Sequence, residues 1–424
     1  MKFAVPTIAN GKVYIGTTST ITAYGLLHDP TPLVVTVSGS GSITSSFSGT
    51  TQRITGNPYT IQAMPAPGNV FNGWTDVNTS RVISRSPKFT FTMSENLCLE
   101  ADFVPNPFPA VAGNYSGLSL GYPPARETDG LASFTVGANG TLTGSIFFEG
   151  KAYALLGAFW NDGTFSKTIR RPGLPSINIA LQIDVTHNTN QITGSISDNL
   201  FSAGFSADRA LASTGTPAKY TLVFPHAAPA MPQGDGFGSV SVDESGHIRF
   251  AGVLGDGTPV SQGARLSKNG TWPFLVTPYR NHGSAAGVLT FEAQPSSDID
   301  GTIYWFNAGN ISTVIAAVGS HYDSLANPLL GFSGPVTFSA QDGDLNPSPV
   351  TKTFTLDASN HIGPGPGTAG LTLTFKLDTG LLTGSFIDSS SNSHLFKGVV
   401  FQKTSTASGV FKSGQTTGSI SLHP

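Results

Sequence analysis

Three oxygen-bearing side chains alternate in one short segment, at Asp342, Asp344 and Asn346. Carboxylate and amide oxygens at alternate positions of a turn can converge on calcium, as in D-x-D-x-N loops. The segment departs from the helix-flanked calcium loop because Pro347 stands where that loop needs glycine, and no glutamate follows at the closing position. The sequence therefore favours a polar hairpin loop and no cofactor, with a calcium site on these three residues as the alternative.

Four aromatic residues in the C-terminal half could contact a ligand: Trp272, Tyr279, Tyr304 and Trp305. A row of exposed aromatic rings offers large flat faces on which a sugar ring can stack. Burial in a core is the commoner fate of Trp and Phe that alternate with small residues. A carbohydrate-binding surface is therefore a hypothesis that exposed rings would support and that burial of Trp272 and Trp305 would oppose.

No catalytic motif is recognisable in the sequence. The nine histidines are scattered, and none has the H-E-x-x-H spacing of a metal-binding helix. The 25 acidic residues show no spacing that selects a pair for glycoside hydrolysis. The single cysteine, Cys98, excludes an internal disulfide, and its alternating segment predicts a small packing residue rather than a nucleophile. We predict that the chain is not an enzyme, which leaves the activity of a longer parent protein open.

Charge and hydropathy restrict the partners. The 22 basic and 25 acidic residues give a net charge of −3 without a long run of either sign. A nucleic-acid-binding protein normally shows a basic stripe, so nucleic acid is not an expected partner. No apolar run is long enough to cross a bilayer as a helix. A polysaccharide or a cell-surface component is the expected partner.

The composition predicts an all-β protein of several domains. The 424 residues include 50 Gly and 29 Pro, and only 11% are charged. Many short strands joined by tight turns produce such a composition, because Gly, Asn and Asp supply turn geometries that β-branched residues avoid. Disorder is the other explanation, but 28 Phe and 38% hydrophobic residues supply ample material for cores.

Residues 1–27 predict a hairpin. Two alternating segments flank Asn10-Gly11, and Asn-Gly is a strong signal for a two-residue hairpin turn. The sequence PTIANGKVYIGT at 6–17, followed by the alternating segment ITAYGLL at 21–27, resembles the closing blade of a pyrroloquinoline-quinone-type β-propeller. The resemblance covers less than one blade and implies ancestry rather than a cofactor site. Residues 28–32, with two prolines, predict a linker.

Residues 33–104 predict a small β module with a recognisable series of short motifs. They are VSGSGSI at 37–43, YTIQAMP at 59–65, GNVFNGW at 68–74, TFTM at 90–93 and ADF at 101–103. The series resembles the divergent internalin-B-type bacterial repeat, which implies a stalk or spacer on a bacterial surface. Trp74 is expected to be a core anchor that packs on Tyr59 and Phe91. A second proline linker is predicted at 105–111.

The rest of the chain suggests an internal duplication. Residues 150–165 resemble 257–272, residues 177–184 resemble 371–378, and residues 192–198 resemble 382–388, in the same order. Regularly spaced strands without helical patterns predict antiparallel meanders that close into small barrels. We therefore expect two related barrel-like domains, A at 112–213 and B at 214–424, with B enlarged by an insertion at about 280–370.

The paired region resembles barrel-like domains of large secreted proteins from environmental bacteria, which implies location and architecture more than activity. The chain is predicted to be a non-catalytic structural or interaction region of a larger bacterial surface or secreted protein. The alternative is a carbohydrate- or ligand-binding accessory region of a secreted enzyme, one resembling a quinoprotein. No signal peptide is recognisable, because no apolar segment follows Met1-Lys2. An extracellular or envelope location therefore implies a missing N-terminal part.

Overall fold

The computed structural model describes residues 5–9, 12–25, 30–187, 189–226, 232–308, 312–331, 333–345, 348–363 and 367–424. The chain divides into two compact units, residues 1–107 and 108–424. Both are built almost entirely from antiparallel strands, which confirms the predicted all-β class. No helix in the described ranges is long and apolar enough to cross a membrane.

The first unit begins with a three-stranded sheet of β1 (Thr7–Ala9), β2 (Lys12–Gly16) and β3 (Ile21–Gly25). β1 and β2 pair antiparallel, with Ile8 opposite Val13, as the hairpin prediction requires. The predicted Asn10-Gly11 turn lies outside the described residues. The likeness to a propeller blade stays a prediction.

The repeat module of the first unit consists of two facing sheets. One contains β5 (Gly41–Ile43), β7 (Pro58–Pro65) and β10 (Lys88–Thr92). The other contains β4 (Pro30–Ser38), β6 (Gly49–Ile54), β8 (Asn69–Asp76), β9 (Arg81–Ser84) and β11 (Cys98–Pro105). A 3-10 turn at Ser45–Phe47 lies between β5 and β6. Both sheets contribute to one apolar core, for example through Ile61 and Leu99, which are fully buried.

Trp74 is a core residue, as expected, but its neighbours differ from the prediction. Its ring lies 5.4 Å from Phe71 and 6.3 Å from Phe89, measured between ring centroids. Tyr59 and Phe91 instead pack on each other and on Phe47. Strand register causes the difference, because Phe89 and Phe91 lie two residues apart on the same face of β10, and Phe91 is the one opposite Tyr59. Cys98 is half-buried on β11.

Both predicted linkers are shorter than expected. Residues 28 and 29 lie outside the described residues, whereas Pro30 and Pro32 pair with β6 at the start of β4. A proline is tolerated there because β11 pairs with β4 only from Val34 onward, leaving one side of the first residues without a ladder. In the second linker, Phe108 and Val111 are buried in the core of the following sheet. Pro105 is the last residue of β11 and pairs with Asn69. The linker prediction is therefore wrong for 30–32, 105 and 108–111.

The second unit contains three eight-stranded sheets, here called the first, second and third barrels. The first barrel comprises β12 (Gly113–Leu120), β13 (Gly130–Val136), β14 (Thr141–Phe148), β15 (Lys151–Ala158), β16 (Thr164–Arg171), β17 (Leu174–Ile183), β18 (Gln191–Ser197) and β19 (Ser202–Arg209). The second comprises β20 (Ala218–Phe224), β21 (Gly236–Val242), β22 (His247–Val253), β23 (Pro259–Arg265), β24 (Thr271–Val276), β25 (Ser284–Phe291), β26 (Ile299–Phe306) and β27 (Ser312–His321). The third comprises β28 (Gly334–Asp342), β29 (Val350–Leu356), β30 (Ile362–Gly363), β31 (Leu371–Lys376), β32 (Leu381–Ile387), β33 (Ser393–Phe401), β34 (Thr406–Ser413) and β35 (Thr416–His423). One left-handed turn, α1 (Pro278–Asn281), with positive φ at Tyr279, Arg280 and Asn281, joins β24 to β25. Two 3-10 turns lie at Arg126–Thr128 and Gln402–Thr404.

Each barrel is a nearly closed antiparallel meander. Consecutive strands pair, and the first strand also pairs with the last, as β12 does with β19. Among the described residues the ladder is interrupted between β15 and β16, between β23 and β24, and between β30 and β31. Side chains alternate inward and outward, as in β17, where Ile177, Ile179, Leu181 and Ile183 are buried. An eight-stranded barrel is just wide enough for such side chains to fill its interior.

The structure corrects the predicted domain B, because residues 214–424 form two barrels rather than one enlarged by an insertion. The three barrels share the turn between their second and third strands. In each, the N–H of the first turn residue donates to the carbonyl of the fifth, from Gly137 to Thr141, from Asp243 to His247 and from Asp357 to His361. The fourth residue of each turn has a positive φ, at Gly140, Gly246 and Asn360. Residues 150–165 and 257–272, which are similar in sequence, occupy equivalent places, since both include the fourth and fifth strands of a barrel, the first and the second respectively.

The other two sequence similarities join strands that are not equivalent. Residues 371–378 and 382–388 include the fourth and fifth strands of the third barrel, whereas 177–184 and 192–198 include the sixth and seventh strands of the first. The shared Thr-Gly-Ser wording has a local cause. A Cβ on Gly194 would lie 2.0 Å from the carbonyl oxygen of Ala180, and one on Gly384 would lie 2.1 Å from that of Thr372. At Gly194 and Gly384 the neighbouring strand lies too close for any residue larger than glycine. The similar sequences therefore reflect the same local strand packing and not the same place in the barrel.

The barrels pack directly on one another. Leu118 of the first barrel contacts Leu275 and Ala286 of the second in a small apolar cluster. A larger cluster joins the second and third barrels, with Val223, Phe237, Val399, Phe401 and Val410 as its buried members. The ion pair between Lys403 Nζ and Asp298 Oδ1, at 2.7 Å, flanks that second junction. Apolar contacts of this kind fix the three barrels as one body.

Candidate ligand-binding surface

The two tryptophans of the aromatic hypothesis lie in the core of the second barrel. Trp272 is fully buried, its indole N–H donates to Gln262 Oε1 at 3.1 Å, and its ring packs on Phe274. Trp305 is 3% exposed. Both occupy inward positions of their strands, so neither ring face can meet a sugar. The hypothesis that these two residues bind carbohydrate is therefore wrong.

Tyr279 and Tyr304 do not form a binding row with them. Tyr279 is half-buried against the same core, and its hydroxyl donates to Asp256 Oδ2 at 2.5 Å. Burial raises the pKa of Tyr279, and the hydrogen bond to the Asp256 carboxylate raises it further. Tyr304 is half-buried on the outward face of β26, between Ala286 and Val314 of the neighbouring strands. Strand alternation places Tyr304 on the face opposite to Trp272 and Trp305, and Tyr279 lies in the turn after β24, so the four residues share no surface.

The predicted calcium loop is described in part. Asp342 and Asp344 both adopt positive φ values, and their carboxylates meet different partners. Asp344 Oδ2 accepts from Thr416 Oγ1 at 2.8 Å, whereas Asp342 Oδ2 lies 3.8 Å from His226 Nε2. Asn346 lies outside the described residues. Within the described ranges no three His, Cys, Asp or Glu side chains are grouped to hold a metal ion. The calcium alternative stays a prediction.

Two adjoining clefts lie on the outer face of the second barrel. One, of about 340 Å³, is lined by residues of β20, β21 and β22 and by Asp378 and Thr379 of the third barrel. The other, of about 360 Å³, is lined by residues of β22 and β23 and by Ser116, Leu131 and Ser133 of the first barrel. Arg249 lines both clefts, so they form one surface that reaches all three barrels. We call this surface the cationic groove.

Strand register explains how the cationic groove acquires its charge. Lys219 is opposite Ser241, and Ser241 is opposite Arg249, so these residues form a row across three strands. Neighbouring strands are about 4.8 Å apart, which separates Lys219 from Arg249 by roughly 10 Å at the backbone. Arg265 follows on β23, two residues beyond the position opposite Arg249. Their inward neighbours Ile248 and Phe250 are buried, so alternation directs Arg249 outward.

Some charged groups of the groove have hydrogen-bond or ion-pair partners and others have none. The ammonium of Lys219 donates to the backbone carbonyl of Asp378 at 2.9 Å, and His247 Nδ1 lies 3.1 Å from Asp243 Oδ2. The guanidinium groups of Arg249 and Arg265 have no hydrogen-bond or ion-pair partner in the part of the chain that the structure describes. Asp378 is the single acidic residue that lines the two clefts. An anion therefore finds two free guanidinium groups on this surface.

Serine hydroxyls surround the two free arginines. Ser116, Ser133, Ser239 and Ser241 line the clefts, and their hydroxyl groups have no protein partner within the described ranges. Each hydroxyl can both donate and accept a hydrogen bond. The groove therefore offers charged donors together with neutral donors and acceptors.

Sequence reasoning missed this groove. The alternation in His247-Ile248-Arg249-Phe250 indicates that Arg249 faces outward, which is a usable signal. The row of Lys219, Ser241 and Arg249 depends on strand pairing, and the walls depend on barrel packing, neither of which the spacing of residues along the chain reveals.

Comparisons with known proteins identify one part of the chain. Residues 31–107 match the model of the divergent InlB B-repeat domain. The first unit therefore carries a divergent bacterial B-repeat module, as its motifs predicted. None of the curated proteins matches the chain.

Two solved structures show only weak similarity. A protein of unknown function from the DUF3598 family of Nostoc punctiforme PCC 73102 aligns at 10% identity and a TM-score of 0.17, over 51% of this chain and 97% of that one. A triple arginine-to-alanine variant of AofleA from Arthrobotrys oligospora aligns at 9% identity and a TM-score of 0.16, over 93% of this chain and 87% of that one. TM-scores this low do not show that the barrels share a fold with either protein.

Proposed function

We propose that this chain is a non-catalytic interaction region of a bacterial surface protein, in which the B-repeat module is a spacer and the three barrels present a binding surface. The observation that carries the proposal is the match of residues 31–107 to a bacterial B-repeat model. It supports a surface-associated structural module. An extracellular or envelope location is part of this proposal.

The construction of the barrels supports a binding rather than a catalytic role. Their inward side chains are large and apolar, for example Phe148, Trp272 and Phe338, each of which is fully buried. Cores filled in this way leave function to the outer surface and the junctions between barrels. Fold alone does not assign a function, so the proposal depends on the surface and on the repeat module.

The proposal is tested by mixing the purified full chain with isolated cell envelopes of the bacterium that makes it. We expect saturable co-sedimentation of the chain with the envelopes, without release of soluble sugar or peptide fragments. An unrelated all-β protein of similar size and charge is the control. Fragment release that grows with time and with chain concentration would identify an enzyme and refute the proposal, and co-sedimentation no stronger than that of the control would also refute it.

A further inference from the structure

The cationic groove carries an inference that rests on the proposed function and adds a site and a ligand class to it. The whole chain has a net charge of −3, yet Lys219, Arg249 and Arg265 line one continuous surface with a single carboxylate, Asp378. Charged side chains on a protein surface are usually scattered, and each one is paired with an opposite charge or surrounded by solvent. Here two guanidinium groups stay unpaired beside four free serine hydroxyls.

We propose that the cationic groove binds a polysaccharide that carries carboxylate groups, with Arg249 and Arg265 as its main contacts. A guanidinium group presents two parallel N–H donors that match the two oxygens of a carboxylate. The diagonal pairing of Arg249 and Arg265 on β22 and β23 separates their Cβ atoms by roughly 7 Å, so they can engage different carboxylates of one chain. Lys219, on the far side of Ser241, adds a third positive charge to the same row.

The serine hydroxyls favour a sugar polymer over other anionic polymers. Ser239 and Ser241 lie on the floor of the groove, and Ser116 and Ser133 lie on its first-barrel wall. The hydroxyl groups of a sugar ring exchange hydrogen bonds with such groups in both directions. A polymer that lies along the groove meets all three barrels, because Thr379 of the third barrel lines the opposite end.

Two competing polymers fit less well. Proteins bind single-stranded nucleic acid largely by stacking bases on exposed aromatic rings. The aromatic residues that line the groove are Tyr220 and Phe250; Phe250 is 3% exposed, and the Tyr220 ring packs edge-on against Phe291. Protein partners draw most of their binding energy from a few large side chains seated in pockets, so an acidic peptide without such an anchor would depend on charge alone. The cleft beside the first barrel has three apolar lining residues, Leu131 of the first barrel and Ile248 and Ala264 of the second; Ile248 is 1% exposed, and the other two are half-buried.

The test measures binding of the full chain to polygalacturonate by titration calorimetry, with dextran, dextran sulfate and single-stranded DNA as comparison probes. We expect binding to polygalacturonate and not to dextran. The variants Arg249→Gln and Arg265→Gln should each weaken binding roughly tenfold to a hundredfold, because each removes a charge-assisted hydrogen bond. The control carries Arg81→Gln and Arg170→Gln, two exposed arginines that do not line the groove, and should bind as the unmodified chain does.

The outcomes separate this inference from the proposed function. Equal weakening by the groove variants and the control double variant would reduce the effect to net charge and overturn the inference. Tighter binding to dextran sulfate or to DNA than to polygalacturonate would overturn the carboxylate-polysaccharide assignment. If the groove variants still co-sediment with envelopes as the unmodified chain does, and polygalacturonate does not bind, the groove is wrong while the interaction role stands.

Discussion

Replacing Asp129 by asparagine should remove much of the pH dependence of stability in the second unit. Asp129 lies where the first barrel meets the second and is 4% exposed. Its Oδ2 accepts from Ser284 Oγ at 2.6 Å, whereas Oδ1 has no hydrogen-bond partner in the described part of the chain. Burial raises the pKa of Asp129 from 3.8 to about 7, and the neighbouring Glu127 adds to the rise while Ser284 and Arg126 oppose it.

The direction in which stability changes with pH follows from the raised pKa of Asp129. The folded chain binds the Asp129 proton more tightly than the unfolded chain, so stability is greatest below the unfolded pKa and falls as pH rises through the folded pKa. Above pH 7 the ionised carboxylate stays buried. The shift from 3.8 to about 7 spans about 3 pH units, and at about 1.4 kcal/mol per unit the loss approaches roughly 4 kcal/mol. Relaxation of the junction and entry of water would reduce this value.

The assay is equilibrium unfolding in urea at pH 4, 6 and 8, followed by tryptophan fluorescence. We expect Asp129→Asn to unfold at a higher urea concentration than the unmodified chain at pH 8, and to differ little from it at pH 4, where the aspartic acid is also neutral. Glu244→Gln, at an exposed turn position, is the control and should follow the unmodified chain at every pH. If the asparagine variant and the unmodified chain lose stability in parallel between pH 4 and pH 8, the burial argument is refuted.

Three further predictions concern the core, the strand packing and the calcium alternative. Trp272→Ala should lower the free energy of unfolding by about 3–5 kcal/mol and leave polysaccharide affinity unchanged. Leu395→Ala, at a side chain that is 76% exposed, is the control and should change neither stability nor affinity. A loss of affinity in a folded Trp272 variant would restore the aromatic site. Gly194→Ala places a Cβ 2.0 Å from the Ala180 carbonyl oxygen, whereas Gly204→Ala meets nothing within 4 Å. Only the first should lower the melting temperature, and equal effects would contradict the packing described here. Removing calcium with a chelator should leave the melting temperature unchanged, because the carboxylates of Asp342 and Asp344 have different partners; a calcium-dependent rise that Asp344→Asn abolishes would establish the metal site.

Local patterns predicted a large part of the fold. The motifs around Trp74 identified the repeat module, and alternation correctly indicated antiparallel meanders. The number of barrels was not predictable in the same way. A Thr-Gly-Ser segment satisfies the same close approach wherever two strands crowd together, so the strands that contain Gly194 and Gly384 look alike although they occupy different positions. Sequence similarity of such strands reports local geometry and misleads about domain boundaries.

The candidate site was the least predictable part. Trp272 and Trp305 attracted attention by residue type, but alternation on β24 and β26 directs both into the core. Arg249 and Arg265 are ordinary charged residues in the sequence, and their meaning depends on which strands are neighbours and which barrels flank them. A site formed by register and packing cannot be read from spacing along the chain.

The central claim, that the chain binds a carboxylate-bearing polysaccharide without altering it, is tested most directly in one experiment. The full chain is incubated with polygalacturonate, and light scattering coupled to size-exclusion chromatography records the mass of both components over time. The account predicts that chain and polymer elute together while the polymer mass stays constant. Polymer that shortens with time, or chain that elutes alone at every polymer concentration, would contradict it.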